Sequence, residues 1–353
     1  MRDRNRTDRS ALDVNVDLLE GFGFSCIPGC GLCCFASPRL EGQDEARLRT
    51  VAPDARVVHE GAERRLAARP NGGACQFLSS LQCGVHAARP APCREFPVSV
   101  HVGTRLQATV VLSCPGLRLD PLLVHGPSRS PLRGLEAELA SVRERLAPSV
   151  ARRLAESDRR RRRVRRALDD QGRWVDEEEV RRELANRRLI PGPEDFLPHD
   201  PPSAKDGLEF LPMYYDGRSG PVAMAEGLGG WEALELAPEG GSRVLGMTVP
   251  PDRLPDLDAP AEELLSGYLR YWLARDGFLA AVHLEMLSAA DGNVVDAALS
   301  DLRAIGSDVI ARGAARAKLR GRDGRSLTRD DVELGIRGTD QDWLDRPTWG
   351  SRL

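Results

Sequence analysis

The sequence predicts an α+β protein: an irregular cysteine-rich part with one small β-hairpin, a helical connector, and a mixed, mainly helical carboxy-terminal part. Three observations lead there. All eight cysteines fall between Cys26 and Cys114, whereas every Trp and Tyr lies at or beyond Trp174, so composition changes abruptly along the chain. Beyond the cysteines, apolar residues recur at intervals of three and four, the period of a helix with one buried side. The 353 residues exceed the ~250 to 300 at which a single core usually stops growing, so more than one domain is expected. The expected domains are 1–120, cysteine-rich; 121–190, a charged connector; and 191–353, mixed and mainly helical.

Residues 1–17 are studded with Arg and Asp and carry no apolar stretch, which is unlike a secretory signal. No run of ~18 apolar residues follows, so no membrane partner and a cytoplasmic location are expected. A net charge of -3 provides no cationic field to hold nucleic acid. Lysine occurs only at Lys205 and Lys318; nearly every positive charge is a guanidinium, which does not deprotonate and prefers forked contacts to carboxylates.

In a reducing compartment, dense cysteines point to metal binding or catalysis more than to disulfides. The first group, Cys26, Cys30, Cys33 and Cys34, places four thiols within nine residues, with Pro28, Gly29 and Gly31 supplying turns. Thiolates select zinc, copper(I) or iron–sulfur clusters, and several of them converge only where a cation offsets their charge. Adjacent Cys33 and Cys34 are expected to point apart, one of them toward a different site. The second group is Cys75, Cys83 and Cys93, with Pro90, Pro92 and Pro97 expected to hold the backbone extended. Next, Val98, Val100 and Val102 alternate outward and Leu106, Ala108 and Val110 alternate back, across Gly103-Thr-Arg105. Matching the apolar faces pairs Val100 with Ala108 and Val98 with Val110, since a one-residue slip would turn one set away. That register carries Cys114 across from Arg94 and so beside Cys93.

Residues 131–168 read as a helix split or kinked by Pro148, its apolar stripe giving way to an arginine run from Arg159 to Arg166. Acidic neighbours make that run a solvated, ion-paired face rather than a grip on RNA. A further helix starts at Asp176, read as an N-cap with Glu179 three residues on. Residues 191–204 form a linker. Two hairpins are expected next, one turning at residues 216–220 and one around residues 238–241. Residues 261–288 and 294–319 carry helical periodicity, in which Tyr268, Tyr271 and Trp272, like the Tyr214–Tyr215 pair, read as core.

The cysteine segment resembles a known family, the YkgJ-like cysteine-cluster proteins, whose domain is described as a zinc- or iron-chelating CxxCxxCC domain. The resemblance covers roughly residues 22–116. Its pieces are Phe24-Ser-Cys26, Cys30-Gly-Leu-Cys33-Cys34, Cys75-Gln-Phe-Leu78, Cys83 followed by Arg89-Pro90, and Cys93-Arg94 followed by Phe96-Pro97. Two departures stand out: the first interval is Cys-x3-Cys, and His86 occupies a position where an aromatic residue or His is expected. The pattern is also similar to flagellin lysine N-methylase, a relative associated with an iron–sulfur cluster. That implies a [4Fe-4S] cluster, with zinc the alternative, held by Cys26, Cys30, Cys33, Cys34, Cys75, Cys83, Cys93 and Cys114. It also implies redox or methyl-transfer chemistry on a protein or small-molecule partner.

A cluster or a closed zinc site takes four ligands, so the eight thiols fit two sites, or one site with spares. The competing role is a non-catalytic, zinc-stabilised module that docks a partner. His86 is the one histidine placed to join a mixed site. Arg89 and Arg94 are read either as neutralising the sulfurs or as pairing with Glu95. No residue pattern assigns a catalytic group.

Overall fold

The computed structural model describes residues 13–352 except 36, 62, 124–133, 205–210, 212, 216–219 and 345. Among the described residues the class is α+β. In chain order, β1 (Val14–Asn15) precedes the first cysteine loop, followed by α1 (Asp44–Val51) and two small hairpins, β2 (Val57–Glu60) with β3 (Glu63–Leu66) and β4 (Leu78–Ser79) with β5 (Gln82–Cys83). Helix α2 (Ala91–Glu95) leads into the hairpin β6 (Val98–Val102) and β7 (Leu106–Val110). Proline fits the first turn of a helix, where its missing N–H has no partner to lose, and α2 begins at Pro90-Ala-Pro92. The extended backbone expected there is instead this helix.

Strands β6 and β7 pair as the sequence indicates, Val98 with Val110 and Val100 with Ala108. Their polar side is not solvated, because Ser99, His101, Gln107 and Thr109 are buried along with the valines. Helix α7 (Asp276–Glu285) and residues 347–350 cover it: Asp276 N–H donates to Gln107 Oε1 at 2.7 Å and His101 Nε2 lies 3.1 Å from Thr348 Oγ1.

The connector divides at residues 147–149, next to Pro148, into α3 (Glu136–Leu146) and α4 (Val150–Asp169), and the expected start of that helix at 131–133 lies outside the described residues. Along α4, Arg160 pairs with Glu156, Arg162 with Asp158 and Arg165 with Asp169, the predicted ion-paired face. Helix α5 (Glu177–Leu184) begins after Asp176, but the Asp176 side chain does not cap it; the carboxylate accepts from Trp174 Nε1 at 3.3 Å.

Strands β8 (Met213–Tyr215), β9 (Pro221–Gly227), β10 (Gly230–Leu236) and β11 (Ser242–Thr248) form an antiparallel sheet in the order β11-β10-β9-β8. Both expected hairpins lie in it. The first turn, at 216–219, and the strand start at 208–210 lie outside the described residues. After β12 (Asp256–Leu257), the periodic stretch 261–288 is two helices, α6 (Ala259–Ala274) and α7 (Asp276–Glu285), broken at Arg275. Asp258 caps α6 by accepting from Ala261 N–H at 2.8 Å. Helix α8 (Val294–Leu319) matches its prediction, and after β13 (Ser326–Leu327) comes α9 (Arg329–Leu344), which the apolar pattern does not announce. Strand β14 (Ser351–Arg352) closes beside β6.

One apolar core runs from Val14 and the β6–β7 hairpin through Leu139, Val180, Leu264 and Leu302 to Trp349. It crosses both expected domain boundaries. Tyr268, Tyr271 and Trp272 lie inside it, and Tyr214 is buried in a neighbouring cluster with Trp231.

A candidate metal centre of eight thiols

The first loop is shaped by its glycines. Cys30 N–H donates to the Ile27 carbonyl at 3.2 Å, and Gly31 then takes φ +64°, where a side chain would strain the backbone and meet Leu81 at 3.1 Å. A single 3-10 turn, Leu32–Cys34, follows. The thiols of Cys33 and Cys34 line the same cavity, and each bears on the other's ionisation.

Cys75 is fixed to this loop through the backbone, its N–H donating to the Cys34 carbonyl at 2.7 Å. From Cys75 the chain enters the β4–β5 hairpin, where Leu78 stands opposite Cys83. Cys93 rides on α2, which is held from both sides: Asp44 Oδ2 accepts Ala91 N–H at 3.1 Å, and Glu95 takes a forked contact from Arg145 Nε at 2.8 and 3.0 Å. Glu95 therefore pairs with Arg145 of α3, not with Arg89 or Arg94. Those two arginines donate to backbone carbonyls, Arg89 Nε to His86 at 3.1 Å and Arg94 Nη1 to Arg89 at 3.2 Å.

Cys114 arrives from the far end of the β6–β7 hairpin, which the helices grip. Val110 N–H donates to Tyr271 Oη at 3.0 Å, Leu112 N–H to Asp340 Oδ2 at 2.7 Å, and Arg275 Nη2 to the Val110 carbonyl at 3.1 Å. From α9, the Arg337 guanidinium donates to the carbonyls of Leu112, Cys114 and Leu117, at 3.3, 2.6 and 2.9 Å. The segment after Cys114 is laid against the first loop, Ser25 N–H donating to Gly116 at 3.0 Å. Gly116 permits that approach, since a Cβ there would lie 2.5 Å from the Ser25 carbonyl oxygen. Cys30 and Cys33 both bear on Cys114, and Cys93, which the register argument sets beside it, lines the same cavity.

All eight thiols line one cavity of about 550 Å³, together with Arg89, His86 and Glu138. Cys26 and Cys33 are exposed, while Cys30, Cys75 and Cys114 are buried. All eight are free thiols. Among the described residues no three His, Cys, Asp or Glu side chains already close on a point that would hold an ion; the sulfurs are spread around the cavity wall.

Burial works against thiolates here. It pushes Cys30 up to about 11 and Cys114 up to about 12, and it also raises Cys26, Cys75 and Cys93. Neighbouring sulfurs add to each rise. Cys34 is raised first by donating its proton to Cys33 and then by burial, while that bond, with help from Arg89, holds Cys33 down to about 7 against burial. Arg89 also favours the thiolates of Cys26 and Cys93. Arg69 acts on Cys75 and Arg337 on Cys114 in the same sense, but three guanidiniums against eight sulfurs leave a donor set that ionises readily only around a metal cation, so the residues fit a thiolate-bound metal or cluster. His86 is exposed at the rim, with its imidazolium disfavoured by Arg89.

Asp44, Arg145 and Arg337, which position Cys93 and Cys114, carry no sequence signal beyond the general excess of arginine over lysine. Glu138, which reaches the cavity from α3, carries none either.

Residues 25–114 match the family model CxxCxxCC, described as "Putative zinc- or iron-chelating domain". That segment is similar to the domain which its motifs resemble, the one carried by the YkgJ-like proteins. No curated protein and no solved structure matches the chain.

Proposed function

We propose that this protein holds an iron–sulfur cluster through Cys26, Cys30, Cys33, Cys34, Cys75, Cys83, Cys93 and Cys114, as a cytoplasmic protein in a redox role. The observation that carries this is the single 550 Å³ cavity lined by all eight thiols. A space that holds one water needs only about 10 to 15 Å³, so this cavity is more than an order of magnitude larger than one ion with directly converging ligands would require. A polynuclear cluster fits better, because its thiolates bind different irons and stand further apart. When bound, the cluster would supply one-electron chemistry; the chain supplies the thiolates and the Arg89 charge beside them. A protein or small-molecule partner would meet it where Cys26, Cys33 and His86 are exposed. Methyl transfer rests on the resemblance to the lysine N-methylase alone.

The test is iron, sulfide and zinc analysis with a visible spectrum on protein prepared without oxygen. A brown colour bleached by dithionite, with iron and sulfide in equal amounts, supports the cluster. A colourless preparation with neither sinks it, and stoichiometric zinc without a visible band supports the zinc-stabilised, partner-docking module instead.

A further inference from the structure

The eight thiols reach the cavity by two separate routes. The chain around Cys26 is tied to the chain around Cys114: Ser25 N–H donates to Gly116 at 3.0 Å, Arg118 N–H to Gly23 at 3.2 Å, and Phe24 bridges Leu117 antiparallel. Cys30 stands one tight turn further along that loop. The chain around Cys34 is tied to Cys75 instead, by the 2.7 Å backbone bond, and Cys75 leads through Leu78 to Cys83, whose hairpin is closed by Gly84 N–H donating to Phe77 at 2.8 Å. Packing separates Cys75 from Cys114: Cys75 lies in an apolar cluster with Leu48 and Leu66, and Cys114 belongs to the main core, while Cys34 packs both beside Cys75 and beside Cys30 at the junction.

Helix α2, which carries Cys93, is tied to the second group: Asp44 of α1 accepts Ala91 N–H at 3.1 Å, and Leu48 of the same α1 packs in the cluster that holds Cys75. Cys33 sits between Cys30 and Cys34 at the junction of the two routes.

We propose that the thiols form two ligand sets of four, Cys26, Cys30, Cys33 and Cys114 in one and Cys34, Cys75, Cys83 and Cys93 in the other, side by side across the Cys33–Cys34 contact. Four is the number that each cubane cluster or closed zinc site requires. This partition rests on the metal-binding reading above and adds to it that the protein carries two centres close enough to sense each other.

The experiment uses the full chain, reconstituted without oxygen with excess iron and sulfide, beside C26A, C83A and the double variant C26A/C83A. Cys26 is exposed and Cys83 only half-buried, so their removal disturbs packing little, and circular dichroism checks that each variant is folded. If a variant is not folded, C30A replaces C26A or C93A replaces C83A. The expected result is about eight irons per native chain, following from two four-iron clusters, about half in each single variant and almost none in the double. In the dithionite-reduced native protein the paramagnetic resonance spectrum should be broadened by coupling between two spins, and each single variant should give a simpler uncoupled signal. With zinc, the corresponding result is two ions, then one, then none. One centre that either single variant abolishes would overturn the partition and leave metal binding standing. A native chain that takes up neither iron nor zinc overturns both.

Discussion

The cysteine segment and the helical body of this chain are stabilised by different means. In the body, α6, α8 and α9 bury Leu264, Leu265, Tyr268, Leu302, Ile305 and Ile336 completely, and each such side chain is worth roughly 1.5 to 3 kcal/mol against exposure. Its buried charges are matched: Arg275 pairs with Asp340 at 3.1 Å with both side chains almost fully covered. Residues 26–95 have only small apolar clusters and strands of two to four residues, and among their interior groups are thiols that resist ionisation. A fold with so little apolar surface to hide depends on something other than burial. Here that is the ligand of the thiols.

Removing the metal separates the two regions most sharply. Structural metal sites in small domains contribute roughly 10 to 16 kcal/mol of apparent binding energy, comparable to the ~5 to 15 kcal/mol of a whole domain. Chelation under reducing conditions should abolish amide-exchange protection over residues 26–95 and leave the β6–β7 hairpin, α8 and α9 protected. Equal loss in both regions would show that they share one source of stability.

The converse experiment strikes the body. Asp340→Ala strands Arg275 and deprives Leu112 N–H of its acceptor, and breaking a buried pair by removing one partner costs about 3 to 5 kcal/mol. Urea unfolding of the metal-free protein should show that loss in the transition of the helices.

Arg337→Met tests the tie between the regions. It releases the carbonyls of Leu112, Cys114 and Leu117, and loss of such outer supports commonly lowers metal affinity about 10- to 100-fold. Competition with a coloured chelator measures it, and an unchanged affinity would mean that Cys114 needs no such clamp.

The smallest effect is on pH dependence. In the metal-free protein the raised thiols favour the neutral form, so their contribution is present below the ordinary thiol range and is lost as pH climbs toward about 11 and 12, where Cys30 and Cys114 ionise. The body behaves oppositely. Burial by itself would raise Asp276, but Arg105 and Arg181 outweigh it and hold the carboxyl below its usual value. That stability is present above the ordinary carboxylate range and fades in acid. Stability curves of the two regions, followed by exchange at several pH values, should therefore decline at opposite ends of the scale. Metal binding, which must displace the thiol protons, should tighten as pH rises.

The thiol cavity, the β6–β7 register, the break at Pro148 and α8 were legible because each rests on local spacing. What escaped rests on tertiary partners. Helix α9 buries Asp331, Arg337, Thr339 and Asp340 beside Val332 and Ile336, so a search for apolar stripes passes over it, although every one of the three charges has its partner in the fold. The polar face of the hairpin is buried because α7 and residues 347–350 lie over it, partners that no local spacing announces. Cys114 follows a hairpin with the expected register, and after it the chain is tied back to Gly23–Ser25.

Arg337 lies 223 residues after the Cys114 carbonyl that it holds. A ribosome making this chain therefore exposes the last sulfur long before it makes the residue that locks it in place. Loading of the metal on a nascent chain would be premature and reversible, and secure capture would come only with completion of the final helix, so an unfinished or clipped chain would surrender its cargo.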